Sequence, residues 1–386
     1  MENGTRGRYL VGILGGLLLA ASAALGQTQT TPPVPSGQQI WAASEREIAS
    51  VTARIAFPRI VGWLTAYRTQ EFTRHGEGLD NAIQYNSPDG AIIATAYVYF
   101  PGLPHAGLAA FATDQAIRRG SEASLTGGEA RIVAAGGVPD VAIRQDYAGY
   151  RGDVASSAAH IKAERWIVKL RVSGPEPRRA EVVAAMDALL AGIRFGVASP
   201  PRPAILPNVR DCAPNFGATA ARQLPNPTGP ESAAHAFLGT FDGGGIAATN
   251  ERGVREDLPS RVPAELCLSS RWPIGLSTAS ILRGTPGEAL SVDGRSMLVA
   301  TLGDSGVMIE VVHAANLERY WLLVHEIGQT SFVRSYDGVP SDEQVRLIVE
   351  ELIAGRLRPT MRVVLRPDGR HQMYLPGAQP EPPRPR

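Results

Sequence analysis

Lysine and cysteine are both scarce in this 386-residue chain: two lysines, Lys162 and Lys169, and two cysteines, Cys212 and Cys267. The lysines stand against 36 arginines (38 basic residues less those two), with plentiful alanine, glycine and proline. That bias is the mark of a GC-rich genome, which points to a bacterial chain, rather than of a demand for guanidinium groups. Charge of one sign is lacking too. The formal net charge is +1, and Arg6 and Arg8 against Glu2 account for it, so the body is neutral. A neutral body has no general field to draw nucleic acid or an anionic membrane, and neither is expected as a partner. Cys-x-x-Cys and His-x-x-x-His spacings are absent, which removes the common redox and metal-ligand signatures. Gly243-Gly244-Gly245 lacks the Lys-Ser/Thr of a phosphate loop and reads as a loop. No cofactor and no metal are expected.

Hydrophobic residues make up 44% of the chain, enough for real cores, so a wholly disordered chain is excluded. At the N-terminus, Arg6 and Arg8 precede an apolar run from Tyr9 to Leu25, and Ala24-Leu25-Gly26 supplies small residues before Gln27. This layout predicts a secretory signal over residues 1–26, cleaved near Gly26–Gln27, with a retained N-terminal anchor as the alternative. Contact with a membrane is expected only if that segment is retained. The expected location is the periplasm or outside the cell. There an isolated Cys212/Cys267 pair is most simply one disulfide, with 54 residues between its partners.

Residues 27–39 read as a flexible tether, 198–204 as a proline-rich linker and 366–386 as a proline-rich tail. Between them lie two modules, 40–197 and 205–365. In the first, Asn86-Ser87-Pro88-Asp89-Gly90 separates two β-rich runs and predicts a hairpin, since Gly90 can take a positive φ. A helix is expected over Ala106–Arg119, then strands over Val141–Tyr147, Val154–Lys162 and Arg165–Val172. Pro175 and Pro177 open a helix with Val182, Met186, Leu189, Leu190 and Ile193 on one face. In the second, strands are expected at Leu290–Val292, Met297–Leu302, Val307–His313, Tyr320–Ile327 and Ser331–Tyr336. Ser341 with Gln344 then makes a capping-box pattern before Val345, Ile348, Val349, Leu352 and Ile353 at helical spacing. The fold class expected is α+β: two modules, each a largely antiparallel sheet with a closing amphipathic helix. Both closing helices end in Ala-Gly and an arginine-bearing exit, from a duplicated unit or from what an alanine-rich genome writes at a helix end.

The order of elements in the first module (strands, helix, strand meander, closing helix) resembles the PsbP/Mog1-like α/β/α sandwiches. The resemblance spans about 150 residues, carries no motif, and implies a binding or assembly role more than catalysis.

Gly303-Asp304-Ser305-Gly306 resembles the segment around the nucleophilic serine of trypsin-like proteases, but Val307-Met308 follows where that family has Gly-Pro. A four-residue turn uses the same residues for backbone reasons. If Ala314–Arg319 connects two strands, His313 pairs with Tyr320, His325 with Met308 and Glu310 with Leu323. His313 and His325 then lie too far apart, on opposite faces, to share a metal. The same register sets Glu310 diagonal to Trp321 and His325. That patch is either a ligand site with an aromatic platform or a covered sheet face holding one ion pair. The function expected is an exported, non-catalytic binding or assembly protein of the cell envelope, its partner another envelope protein or a small ligand. An exported hydrolase with a serine- or histidine-based site is the alternative.

Overall fold

The computed structural model describes residues 40–73, 78–119, 125–226, 261–275, 277–284, 296–314 and 318–374. The predicted signal, the tether, the strand at 290–292, the 243–245 glycines and the tail beyond 374 lie outside the described residues. All described residues belong to one unit, Gln38–Arg386.

The first half opens with short strands β1 (Trp41–Ala43), β2 (Glu47–Ser50), β3 (Ile55–Pro58) and β4 (Ile60–Val61), then β5 (Leu64–Glu71). The expected hairpin follows as β6 (Asp80–Asn86) and β7 (Ile93–Tyr99), with Gly90 at φ 70°. Helix α1 spans Ala106–Arg119, the bounds its periodicity predicts. His105 caps it, its Nδ1 accepting the Leu108 N–H at 3.1 Å. After β8 (Thr126–Gly127) and β9 (Arg131–Ala135) come the long strands β10 (Val138–Tyr150), β11 (Val154–Ala163) and β12 (Trp166–Pro175). A 3-10 turn holding Pro177 leads into α2 (Arg179–Gly192), and β13 (Arg194–Phe195) closes the half. Strands β4-β5-β6-β7-β12-β11-β10-β8 form one sheet, with β9 also on β10, and β1-β2-β3-β13 a smaller one.

The second half contributes β14 (Asn208–Asp211), β15 (Gln223–Leu224), β16 (Glu265–Ile274), β17 (Ser277–Gly284), β18 (Ser296–Leu302), β19 (Met308–Ala314), β20 (Arg319–Glu326) and β21 (Gln329–Tyr336). Helix α3 (Asp342–Ile353) follows, opened by the expected capping box, in which Ser341 and Gln344 satisfy each other's backbone N–H. Val345, Ile348 and Val349 are buried, whereas Ile353 lies exposed at the helix end. Strands β22 (Met361–Leu365) and β23 (His371–Tyr374) then extend the sheet. Residues 371–374 were expected in the tail; they instead pair with β22, where the Asp368-Gly369 turn folds the chain back. Among the described residues nearly every pairing is antiparallel, and β14 with β16 is parallel. Among the described residues the architecture is thus mainly β with a few helices, a coarser match to the α+β expectation.

Helices and sheets alternate in layers. Helix α2 packs on β11 and β12, and Val182, Met186, Leu189 and Leu190 join Ile83, Val168 and Leu170 in the first core. Helix α1 lies against β10 and β11 on one side and β17 and β18 on the other. Ala106, Ala109 and Ala110 face Ile143 and Ile167 of the first sheet. Leu108 and Phe111 face Leu282, Val299 and Met308 of the second. Burying a side chain such as Leu108 is worth about 1.5–3 kcal/mol, so α1 binds both sheets through opposite stripes. Helix α3 covers the far face of the second sheet, on Leu298, Ile309, Leu322 and Val324.

Backbone bonds reinforce this seam. The Gly102 N–H donates to the Glu326 carbonyl and the Gly328 N–H to that of Phe100, each at 2.8 Å. A Cβ on Gly102 would stand 2.5 Å from the Gln329 carbonyl oxygen, so only glycine allows this approach. The proline-rich stretch between the halves is pinned down rather than loose. Its non-proline amides do the work: Arg202 donates to Lys162 and Ala204 to Asp140, both at 2.8 Å. Cys212, just past β14, and Cys267 in β16 form a disulfide, as expected.

Candidate functional site

The register of β19 and β20 is the one the loop length predicts: Met308 with His325, Glu310 with Leu323, His313 with Tyr320. It turns Glu310, Leu323 and His325 toward the seam. Glu310 and His325 meet there, His325 Nε2 donating to Glu310 Oε2 at 2.8 Å, and both are at most 1% exposed. Arg261 also donates to Oε2, and Ser296 to Oε1. Burial alone would raise the Glu310 carboxyl, but the Arg261 guanidinium and the His325 and Ser296 hydrogen bonds hold it down at about 2. Burial also lowers His325, which is neutral at pH 7, so the Thr330 hydroxyl donates to its Nδ1 at 3.0 Å. Trp321 does not join this group. It is buried in a separate cluster, its ring edge-on to Phe332 at 4.9 Å between centroids. Sequence reasoning therefore found two members of a buried network and missed Arg261, whose surroundings carry no periodic pattern.

A second network crosses the same seam through the Gly303-Asp304-Ser305-Gly306 string. The string is a turn between β18 and β19. Ser305 Oγ donates to the Leu302 carbonyl at 2.8 Å and accepts the Val307 N–H at 3.2 Å, which spends the hydroxyl within its own turn. Asp304 instead reaches the first half. Its Oδ1 accepts the Thr113 hydroxyl at 2.6 Å and its Oδ2 accepts from Lys169. With its proton given to Asp304, Thr113 accepts from His160 Nε2 at 3.0 Å, which fixes the imidazole tautomer. His160 Nδ1 is then buried without a partner. Burial, with Lys169 nearby, takes the His160 imidazole down to about 3, so it is neutral. Burial opposes charge on Asp304 as well, but the Lys169 ammonium keeps its carboxyl below the usual range. Lys169 also lies 5.3 Å from the Tyr97 ring centre. Both networks pair carboxylate with cation, and the second joins the two halves.

An open cavity of about 640 Å³ lies beside them, between α1, β10 and the β14–β16 pair. Phe111, Leu206, Val209 and Leu268 give it apolar walls, and Asp114 and Gln145 give it a polar floor. Asp114 is engaged by Arg118 at 2.8 Å and by the Tyr147 hydroxyl at 3.2 Å. Both halves of the chain contribute, and no local pattern marks the site.

Among the described residues no three His, Cys, Asp or Glu side chains are placed to hold a metal ion. His313 stacks on Tyr320, ring centres 4.6 Å apart, on the face away from His325. Among the described residues, too, no helix is long and apolar enough to cross a membrane.

No family model matches the chain, and no curated protein matches it. Among solved structures it is similar to the cyanobacterial PsbP of Synechocystis sp. PCC 6803, at 10% identity over 43% of this chain and 98% of that one, with a TM-score of 0.29. It is also similar to a crystal structure from Bacteroides thetaiotaomicron VPI-5482, at 11% identity over 56% of this chain and 64% of that one, with a TM-score of 0.23. The first of these is of the family that the element order of the first half resembles.

Proposed function

We propose that this chain is an exported, non-catalytic binding or assembly protein of the cell envelope, working in the periplasm or outside the cell. One observation carries the reading. The groups that looked reactive in the sequence are consumed in buried pairs, within a turn or across the seam, while a cavity lined by both halves stays open. A site built from two parts of a chain is the usual place for a ligand or a partner segment. The disulfide agrees with an oxidising compartment, and the N-terminal pattern with export to it.

The test is photo-crosslinking in intact cells at native expression, from Glu129 on the cavity rim and from exposed Ile353 as a control. A discrete adduct from Glu129 alone, in envelope fractions, is expected. Adducts from neither position, or equally from both, overturn the binding role. Sequencing the mature N-terminus tests export: a start at Gln27 is expected, and an intact Met1 in the cytosol defeats it.

A further inference from the structure

Gln145 is 4% exposed on the face of β10 that meets α1, and its side chain is half satisfied. Its Nε2 donates to the Gly128 carbonyl at 3.1 Å, whereas its Oε1 is buried without a partner. Turning the amide over would set two acceptors against each other, so Gly128 dictates that the acceptor stays unpaired. Gly128 is itself held tightly: a Cβ there would lie 2.6 Å from both Arg118 and Tyr147. A buried acceptor without a donor is costly and calls for one from outside the chain.

The cavity says what kind of donor. Its lining carries three carboxylates, Asp114, Glu129 and Asp211, against one guanidinium, Arg210. Arg118 offsets Asp114, which leaves the rim with excess negative charge. An anion would meet Gln145 Oε1 and these carboxylates with nothing to donate. We infer that the cavity between α1, β10 and the β14–β16 pair binds a small organic cation, with an ammonium head donating to Gln145 Oε1 and a short apolar body against Phe111 and Leu268. The volume, about 640 Å³, suits a ligand of metabolite size. This rests on the binding role proposed above and names the ligand class.

Calorimetry of the mature protein at low salt, with n-pentylammonium and with pentanoate as probes, tests it. Saturable binding of the ammonium and none of the carboxylate is expected. Gln145→Met keeps the volume and removes the acceptor, and is expected to weaken binding roughly tenfold. Glu129→Arg, on the exposed rim, is expected to abolish binding while leaving the unfolding temperature unchanged, which keeps the test decisive should Gln145→Met fail to fold. No saturable binding of the ammonium, as when ordered water alone satisfies Gln145, overturns the inference. So does affinity unchanged in Glu129→Arg, or in a folded Gln145→Met. A Glu129 adduct in cells without pentylammonium binding defeats this ligand class and leaves the binding role standing.

Discussion

The two halves of the molecule cover their sheets differently. The first supplies helices to both faces from its own sequence, α2 outside and α1 inside. The second supplies α3 to one face and relies on α1 for the other, where Leu282, Val299 and Met308 would otherwise meet water. In return Val363 and Leu365 of β22 enter the first core. The shared helix explains why charged groups are found between the sheets. Its small residues bring the sheets close enough for Asp304 to reach Lys169 and Thr113, and burial then demands that every charge be paired.

Separating the halves gives the largest expected effect. Residues 27–207 produced alone should unfold cooperatively, while residues 205–386 should show no cooperative transition and should bind hydrophobic dye. A cooperative transition in the second fragment would end the view that α1 is indispensable to it.

The two seam networks sharpen the comparison. Glu310 is wholly buried, so Glu310→Gln breaks the buried Arg261–Glu310 ion pair, at a cost of about 3–5 kcal/mol in denaturant unfolding. Asp304 is 26% exposed, and water can replace it in part. Asp304→Asn should cost about 1–2 kcal/mol, the worth of its charged hydrogen bonds after screening. Equal losses would contradict the difference in burial.

Acid should weaken the seam before it touches the outer helices. His160 is held down to about 3 by burial and Lys169, and His105 to about 4 by burial and Lys162. Each is neutral when folded and gains a proton more readily when unfolded. The stability they protect is therefore complete above about pH 6.5 and is lost as pH falls through 6 toward 4. Asp80 works in the opposite sense. Burial, with Glu71 nearby, raises it to about 6, so the stability its neutral form gives is lost as pH climbs past 4 toward 6. Asp80→Asn should raise the unfolding temperature at pH 8 and leave it little changed at pH 4.

Two glycine substitutions separate the two helix ends that look alike in sequence. Gly355, after α3, has a φ of 65° and open space around it, with the Arg356 N–H returning to the Glu351 carbonyl. Gly192 is the last residue of α2, and a Cβ there would stand 2.5 Å from Pro58. Gly355→Ala should cost about 1 kcal/mol through backbone strain alone. Gly192→Ala should cost about 1–3 kcal/mol through crowding. The shared Ala-Gly thus serves two physical ends.

How much was legible follows from the range of each interaction. The α1 bounds, the Ser341–Gln344 box and the β19–β20 register each rest on contacts a few residues apart, where periodicity and loop length suffice. The β16–β17 hairpin and the strands before Leu64 carry weaker alternation and were not anticipated. Lys169 and Asp304 lie 135 residues apart and Arg261 and Glu310 lie 49 apart, and no spacing rule links them.

From the residues alone came the strand and helix faces, the turn at Gly303–Gly306 and the pairing of the two cysteines, because each depends on local backbone preference or on having a single available partner. Tertiary structure alone decided that α1 serves two sheets, that Glu310 and His325 are sealed from solvent, and that Gln145 lines an open cavity and keeps a buried acceptor unpaired. Those outcomes depend on which surfaces exclude water from one another, a property of the packed molecule and of no segment within it.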